Sequence, residues 1–261
     1  MNKKILVTGC EGFIASHLIP VLKAEGHDVR GIDIKPITNK RGNGFIQASL
    51  EHLPIDLIES FDVIIHLGAL INITESFDKP WDYINNNING MYKLQFAKRV
   101  IFASSAAVYG EFSPYGASKQ LGELLLPDNS IVFRIFNPFG PGENHDNESH
   151  IIPLLAHSKT PVTLFQGGEQ LRDFIHVEDV CRAFVAAVES DRTGTFDLCH
   201  TRLKIKEVAD LMGVDYVLDN KKRDSGDTHT LVGDSIPLQV MFNFSFKHSV
   251  GQDLKNWRKW M

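Results

Sequence analysis

The stretch KILVTGCEGFIASHL, residues 4–18, decides the fold. Ile5, Leu6 and Val7 form an apolar run of strand type, and Thr8-Gly9-Cys10-Glu11-Gly12-Phe13-Ile14-Ala15 leads from it into a run with helical apolar spacing. A glycine pattern becomes informative only in that strand–turn–helix setting. Gly9 permits the tight turn, Gly12 leaves the backbone open to a pyrophosphate, and Ala15 lets the helix pack closely on the strand. The helix start adds unpaired N–H groups that favour phosphate. The stretch therefore predicts a dinucleotide site, with Gly9, Gly12, Phe13 and Ile14 at the cofactor. Asp33 ends the next strand about 20 residues beyond the glycines, where a carboxylate accepts ribose hydroxyls and repels a 2′-phosphate, with Ile34 beside it. NAD is favoured over NADP, although Lys35 and Arg41 lie close enough in sequence to neutralise a phosphate.

Further along, strand-like runs at residues 4–8, 28–34, 63–67, 100–103 and 131–135 alternate with helical runs at 16–25, 87–97 and 118–126. Such alternation predicts an α/β fold, a Rossmann-type doubly wound parallel sheet covered on both faces. From Pro138 the pattern breaks into turns, with helices expected at 180–189 and 205–212. The expected domains are residues 1–138 for the cofactor, with return segments near 174–200, and residues 139–261 mainly for a substrate.

Composition excludes several classes. With 261 residues and 43% hydrophobic content the chain can bury a large core. Its longest apolar stretch, near residues 63–73, is interrupted by His66, Gly68 and Asn72 and is too short for a bilayer span, which needs about 20 residues. The N-terminus passes straight into the first strand, leaving no room for a signal peptide, so a cytoplasmic location is expected. A net charge of −5 without a basic stripe argues against nucleic acid. Three cysteines, Cys10, Cys181 and Cys199, are an odd number without CxxC spacing and read as reduced thiols. His145, His150 and His157 offer no ligand set, His176 reads as a packing and hydrogen-bonding residue, and no metal is expected.

Tyr115 and Lys119 stand four residues apart at the start of a helix that Ser113 caps and Pro114 begins, so both project from one face. Bringing a tyrosine from pKa about 10 to about 7 takes roughly 4 kcal/mol of phenolate stabilisation, which a nearby ammonium can supply. Tyr-x-x-x-Lys alone is a weak pattern. Here it follows a dinucleotide fingerprint and a strand ending in Ser104 and Ser105.

With TGCEGFIASHL, Asp33, VIIHLGA, TESFDKPWDYINNNING, FASSAAVYG, SPYGASK, FRIFNPFGPG and LRDFIHVEDV in order, nearly the whole chain resembles one family. It is the extended short-chain dehydrogenase/reductase family of NAD-dependent nucleotide-sugar epimerases and dehydratases, typified by UDP-glucose 4-epimerase. The resemblance implies that Ser105 hydrogen-bonds the reacting sugar oxygen, Tyr115 is the general base and acid, and Lys119 tunes Tyr115 and holds the nicotinamide ribose. It also implies a cofactor site that includes Ser49, Leu50, Leu67, Gly68, Ala69 and Asn87. Asn137, Arg172 and Arg223 are placed at the substrate's diphosphate and nucleotide, although each has a plainer reading: a turn before Pro138, an ion pair with Asp173, and a spacing that departs from the family's RxGD. The partner implied is a nucleoside-diphosphate sugar.

Ser105 is followed by Ala106 and Ala107, where dehydratases of the family carry Asp-Glu and related decarboxylases an acid, so elimination lacks its acid and base. The expected reaction is epimerisation, inversion of a hydroxyl at C4 through a 4-keto sugar. A 4-keto-sugar reductase or dehydrogenase is the alternative, and a non-catalytic nucleotide sensor a lesser one. Ser105 and Tyr115 are only ten residues apart, and segments 90–100 and 119–134 are also short for the family. A more open pocket and a homodimer with a reduced or altered helix-bundle contact are expected. Ser49 stands where the family usually has an aspartate near the adenine.

Overall fold

The computed structural model describes residues 2–38, 44–143, 150–222 and 228–259. In chain order its first half runs β1 (Lys4–Thr8), α1 (Phe13–Ala24), β2 (Asp28–Asp33), β3 (Phe45–Gln47), α2 (Ile55–Glu59), β4 (Val63–His66), α3 (Ile73–Asp78), α4 (Pro80–Ile88), β5 (Val100–Ser105), α5 (Pro114–Leu124) and β6 (Ile131–Ile135). The rest runs β7 (Pro138–Phe139), α6 (Ile151–His157), β8 (Val162–Leu164), β9 (Leu171–His176), α7 (Val177–Val188), β10 (Gly194–Leu198), β11 (Thr201–Lys204), α8 (Ile205–Met212), β12 (Tyr216–Leu218), β13 (Thr230–Leu231), α9 (Ile236–Phe242) and α10 (Val250–Lys255).

Strand period explains the sheet. Ile5, Val7, Val63, Ile65, Ile101 and Phe133 bury into one apolar cluster, while the alternate residues Leu6, Ile64, Phe102 and Val132 bury into another on the opposite face. A sheet buried on both faces needs helices on both, and these require parallel crossovers. Seven strands accordingly lie in the order β10-β6-β5-β4-β1-β2-β3, every adjacent pair parallel. The chain winds outward in both directions from β1 and β4, so the crevice beyond their carboxyl ends is the switch point where ligands bind in this topology. α1 and α7 pack together over one face. Short elements cover the other.

One expected element breaks there. Residues 87–97 do not form one helix: α4 stops at Ile88, Gly90 takes φ +86°, and residues Met91–Phe96 continue as a 3-10 run. A Cβ on Gly90 would lie 2.6 Å from the Glu51 backbone nitrogen, so the chain turns where a neighbouring segment approaches, and only glycine fits.

After β6 the chain builds smaller sheets, β11-β9-β13 with β7 on β9 and the pair β12-β8, around a second core of Phe139, Phe174, Val208, Met212 and Leu254. It returns to the first sheet through α7 and β10. Two buried carboxylates peg the C-terminal segment to this frame. Asp173 binds the Arg202 guanidinium at 3.1 Å and accepts from the Gly233 N–H at 2.7 Å, and Asp179 accepts from the backbone N–H groups of Lys247 and His248. Among the described residues no helix is long and apolar enough to cross a membrane. The three cysteines are buried, and none is in a disulfide.

Candidate active site

The turn between β1 and α1 is shaped for a close-lying ligand. Gly9 has φ +66°, and a Cβ there would lie 2.7 Å from the Gly68 Cα, so two glycine-bearing turns meet where side chains would collide. Gly12 is the N-cap of α1 and offers no side-chain cap, leaving first-turn amides that the helix itself cannot pair. Thr8 Oγ1 accepts the Gly68 N–H at 3.2 Å and meets His66 Nδ1 at 2.7 Å, which fixes the turn after β4. Burial pushes His66 down to about 3, with the Lys119 charge adding to the effect, so the ring is neutral at working pH.

Asp33 stands at the carboxyl end of β2, buried, each carboxylate oxygen accepting one backbone N–H: Glu11 at 2.9 Å and Lys35 at 2.9 Å. Every oxygen retains a lone pair for a further donor. Ile34 follows it exposed, and Ala48 N–H donates to the Asp33 carbonyl, bringing Ser49 and Leu50 beside the same strand end. Glycine cradle, uncapped helix and held carboxylate together fit a dinucleotide.

The candidate reacting groups come from β5 and α5. Ser105 ends β5 and caps a short turn, its hydroxyl accepting the Ala107 N–H at 3.1 Å. Ser113 caps α5 by accepting the Gly116 N–H at 3.0 Å, and Pro114 begins the helix, both as expected. Gly116 and Gly122 let α5 sit close: a Cβ on Gly116 would lie 2.7 Å from the Ala107 carbonyl oxygen, and one on Gly122 2.9 Å from the Phe102 ring. Tyr115 and Lys119 are therefore both buried, with Ser105 on the wall of the same cleft as Tyr115. Burial pushes the Tyr115 phenol up to about 12, opposed by Ser105. Burial likewise brings Lys119 down to about 7, opposed by the Glu123 charge. Lys119 Nζ lies over the Phe102 ring, 4.6 Å from its centroid.

A cleft of about 370 Å³ joins these groups to the second core. Its walls include Ile14, Leu67, Ala69, Ser105, Tyr115, Lys119, Asn137 and Arg172 from the residues the sequence singled out. Gly9, Gly12, Asp33, Ile34, Ser49 and Leu50 follow the ends of β1, β2 and β3 outside that volume, as do Phe13 and Gly68 near the glycine turns. Asn137 takes φ +35° and its amide donates to the Asp173 carbonyl at 2.7 Å. Arg172 does not pair with Asp173, which takes Arg202 instead; its guanidinium donates to the carbonyls of Leu171, Thr228 and His229. Arg223 and Arg41 lie outside the described residues, as does His145.

Asn87 is a buried residue of α4. Its amide accepts the Leu70 N–H at 2.8 Å and donates to the Leu70 carbonyl and the Ser118 hydroxyl, clamping the chain after β4 to α5. His150 pairs with Glu143 at 3.0 Å in the cleft wall. His176 caps α7 and stacks on His248, with 3.7 Å between ring centroids and planes 11° apart. With Glu178 these two bring three possible metal-ligating atoms within 4.8 Å of one another. Their lone pairs nevertheless lie in two parallel planes, so an ion in line with one ring is out of line with the other.

Sequence reading missed one half-buried charge cluster. Glu123, four residues after Lys119, takes the Arg134 guanidinium on both oxygens at 3.0 and 2.6 Å and accepts the Ser104 hydroxyl. Arg134 also donates to the Tyr109 hydroxyl, which donates to Asp197 at 2.8 Å. The i,i+4 spacing of Lys119 and Glu123 was its only visible signal.

A doubly wound sheet with a glycine cradle at its switch point and a serine, tyrosine and lysine in the adjoining cleft defines a dinucleotide-dependent enzyme of the short-chain dehydrogenase type. Within that class the chain belongs to the NAD-dependent epimerase/dehydratase family, whose sequence model matches residues 5–199. It is 28% identical to the UDP-glucose 4-epimerase of Lactobacillus helveticus, with 96% of this chain and 94% of that protein covered. That alignment runs to 311 positions where this chain has 261 residues, in keeping with shortened connections. An uncharacterised UDP-glucose epimerase, YtcB of Bacillus subtilis, is 30% identical over 71% of this chain and 72% of its own. Among solved structures, the UDP-N-acetylglucosamine 4-epimerase of Methanobrevibacter ruminantium M1 in complex with UDP-N-acetylmuramic acid superposes with a TM-score of 0.86 at 26% identity, covering 99% of this chain and 98% of that one. MoeE5 in complex with UDP-glucuronic acid and NAD gives 0.83 at 26% identity, over 98% and 99% of the two chains.

Proposed function

We propose that this protein is an NAD-dependent nucleotide-sugar epimerase that inverts one sugar hydroxyl, at C4, through a 4-keto intermediate. The observation that carries the reading is the joining of Ser105, Tyr115 and Lys119 in one cleft whose wall beside the serine is Ala106 and Ala107. Relatives and structural neighbours named for UDP-sugar 4-epimerases support the nucleotide-sugar class.

Gly9, Gly12, Phe13 and Ile14 would hold NAD's diphosphate, and Asp33 its adenosine ribose, with Ile34, Ser49 and Leu50 beside the adenine. Leu67, Gly68 and Ala69 would border the nicotinamide half, braced by Asn87. NAD, when bound, supplies a reversible hydride acceptor and a positive ring. Ser105 donates to the reacting sugar oxygen and orients it, and Tyr115 takes the hydroxyl proton as the carbon is oxidised. Lys119 as ammonium offsets the phenolate, because burial alone pushes Tyr115 to about 12, far from a working base. Return of hydride to the opposite face of the keto sugar requires the sugar to turn within the cleft while Tyr115 gives the proton back. Asn137, Arg172 and Arg223 would meet the nucleotide diphosphate, where an amide and fixed cations suit a dianion. Ala106 and Ala107 offer no acid or base for elimination. The site residues and the division into a cofactor domain and a substrate domain belong to this proposal.

UDP-, GDP- and dTDP-sugars incubated with NAD and followed for C4 exchange test the proposal. Exchange without net NADH is expected, abolished in Tyr115→Phe. Stoichiometric NADH use on keto sugars would replace the reading by a reductase, and unchanged turnover in Tyr115→Phe would overturn it.

A further inference from the structure

Lys119 is a buried cation whose surroundings can be enumerated. On its own helix it is flanked by Tyr115 and Glu123; on the sheet beneath lie Phe102, Ser104 and Ser105 of β5 and the neutral His66 of β4. On the side of α3 and α4, the Tyr83 ring meets Tyr115 edge-on, and the Tyr83 hydroxyl is bonded to Glu75, itself paired with Lys79. Glu75 is thus spent on its own partners. Glu123 is the carboxylate on the face that carries Lys119, and it is held at 2.6 Å by Arg134, with both side chains largely removed from water. Ser104, the residue before the proposed catalytic serine, donates to the same carboxylate.

This arrangement gives Glu123 two competing demands. Its negative charge favours the ammonium of Lys119, while Arg134 and Ser104 draw on the same oxygens and offset that charge. In a buried setting a carboxylate one helical turn away acts at low dielectric, so a small change in its pairing is felt by the lysine. We propose that Glu123 is a positioning residue that keeps the proton on Lys119, and that Arg134 sets how strongly it does so. The proposal rests on the epimerase reading only for its kinetic readout. Direction follows from charge. Neutralising Glu123 makes Lys119 lose its proton at lower pH, whereas removing Arg134 leaves Glu123 less compensated and makes Lys119 hold its proton to higher pH. Tyr109 and Asp197 extend the cluster to β10 and keep the Arg134 guanidinium in place.

The test is the pH profile of kcat/KM in the NAD-bound enzyme, with the pH dependence of thermal unfolding measured alongside. In Glu123→Gln the alkaline limb moves down by about one pH unit. In Arg134→Met it moves up. In the double variant, which has no buried charge left unpaired, it returns to the Glu123→Gln position, because Arg134 acts through Glu123. Should Arg134→Met fail to fold, Arg134→Lys is expected to keep the wild-type limb, and the double variant still carries the comparison. Unfolding reads the ionisation of Lys119 without turnover: its pH-dependent rise in stability begins at lower pH in Glu123→Gln. A wild-type protein that turns over no nucleotide sugar sinks the proposed function alone, and the unfolding profiles then decide this inference. An unmoved limb and an unmoved unfolding profile in folded Glu123→Gln, or shifts of the same sign in both single variants, overturn it.

Discussion

Replacing Lys119 by methionine should make the protein more stable while removing its activity. Burial lowers this lysine from its ordinary 10.5 to about 7, so the folded state binds fewer protons than the unfolded chain between those two values. Stability therefore rises with pH across that window, and the penalty is greatest below it. At about 1.4 kcal/mol per pH unit, the ammonium costs the fold about 5 kcal/mol at pH 6 and roughly 1 to 2 kcal/mol at pH 9.5. Methionine keeps most of the apolar stem, but loses the contact with the Phe102 ring, which is worth about 1 to 2 kcal/mol when desolvated. A net gain of about 2 kcal/mol near pH 7 corresponds to roughly 4 to 8 °C in Tm for a chain of this size. Circular dichroism melts of wild type and Lys119→Met from pH 6 to 9.5, with and without added NAD, provide the measurement. The gain should shrink to about 1 kcal/mol at the alkaline end, where the folded amine is neutral. An equal or lower Tm at pH 7, or a gain that does not fade with pH, would refute the reasoning that this cation is held in place against its own solvation.

Gly9→Ala forces a Cβ to 2.7 Å from the Gly68 Cα at a left-handed φ, so NAD affinity should fall at least tenfold in titration calorimetry, with a stability loss of about 2 kcal/mol. His66 is held neutral, its pKa lowered to about 3 from 6.5; the folded state binds fewer protons in that interval, and stability is lost as pH falls below 6.5. His66→Asn should flatten the acid side of the Tm profile, and an unchanged profile counts against burial as the cause. Asp33→Ser should shift the ratio of binding affinities for NAD over NADP, read by titration calorimetry, by about tenfold or more toward NADP, since the repulsion of a 2′-phosphate is removed; an unmoved ratio assigns the preference elsewhere. Trp81 of α4 and Leu124 of α5 are 74% and 78% exposed, so size-exclusion with light scattering at several concentrations should give a weak, concentration-dependent dimer. A stable dimer that Leu124→Asp dissolves would contradict a reduced helix-bundle contact.

Local signals carried the sequence a long way. The turn at Gly9 and Gly12, the cap at Ser113, and the four-residue step from Tyr115 to Lys119 are set within one turn or one helix, where spacing alone fixes which side chains meet. The regular alternation of strand-like and helical runs made the parallel sheet legible for the same reason. Gly90 was harder to read, because its left-handed turn answers to Glu51, a residue in another segment. Only the tertiary structure showed that the Asn87 amide is spent on Leu70 and Ser118, that Arg172 binds carbonyls rather than Asp173, and that Glu123, Arg134, Tyr109 and Asp197 form one chain of polar contacts running from the cleft wall to the surface. Their partners come from strands and loops far apart in sequence. Which carboxylate ends beside which cation depends on how the sheet brings β5, β6 and β10 together with α5, and no local spacing encodes that.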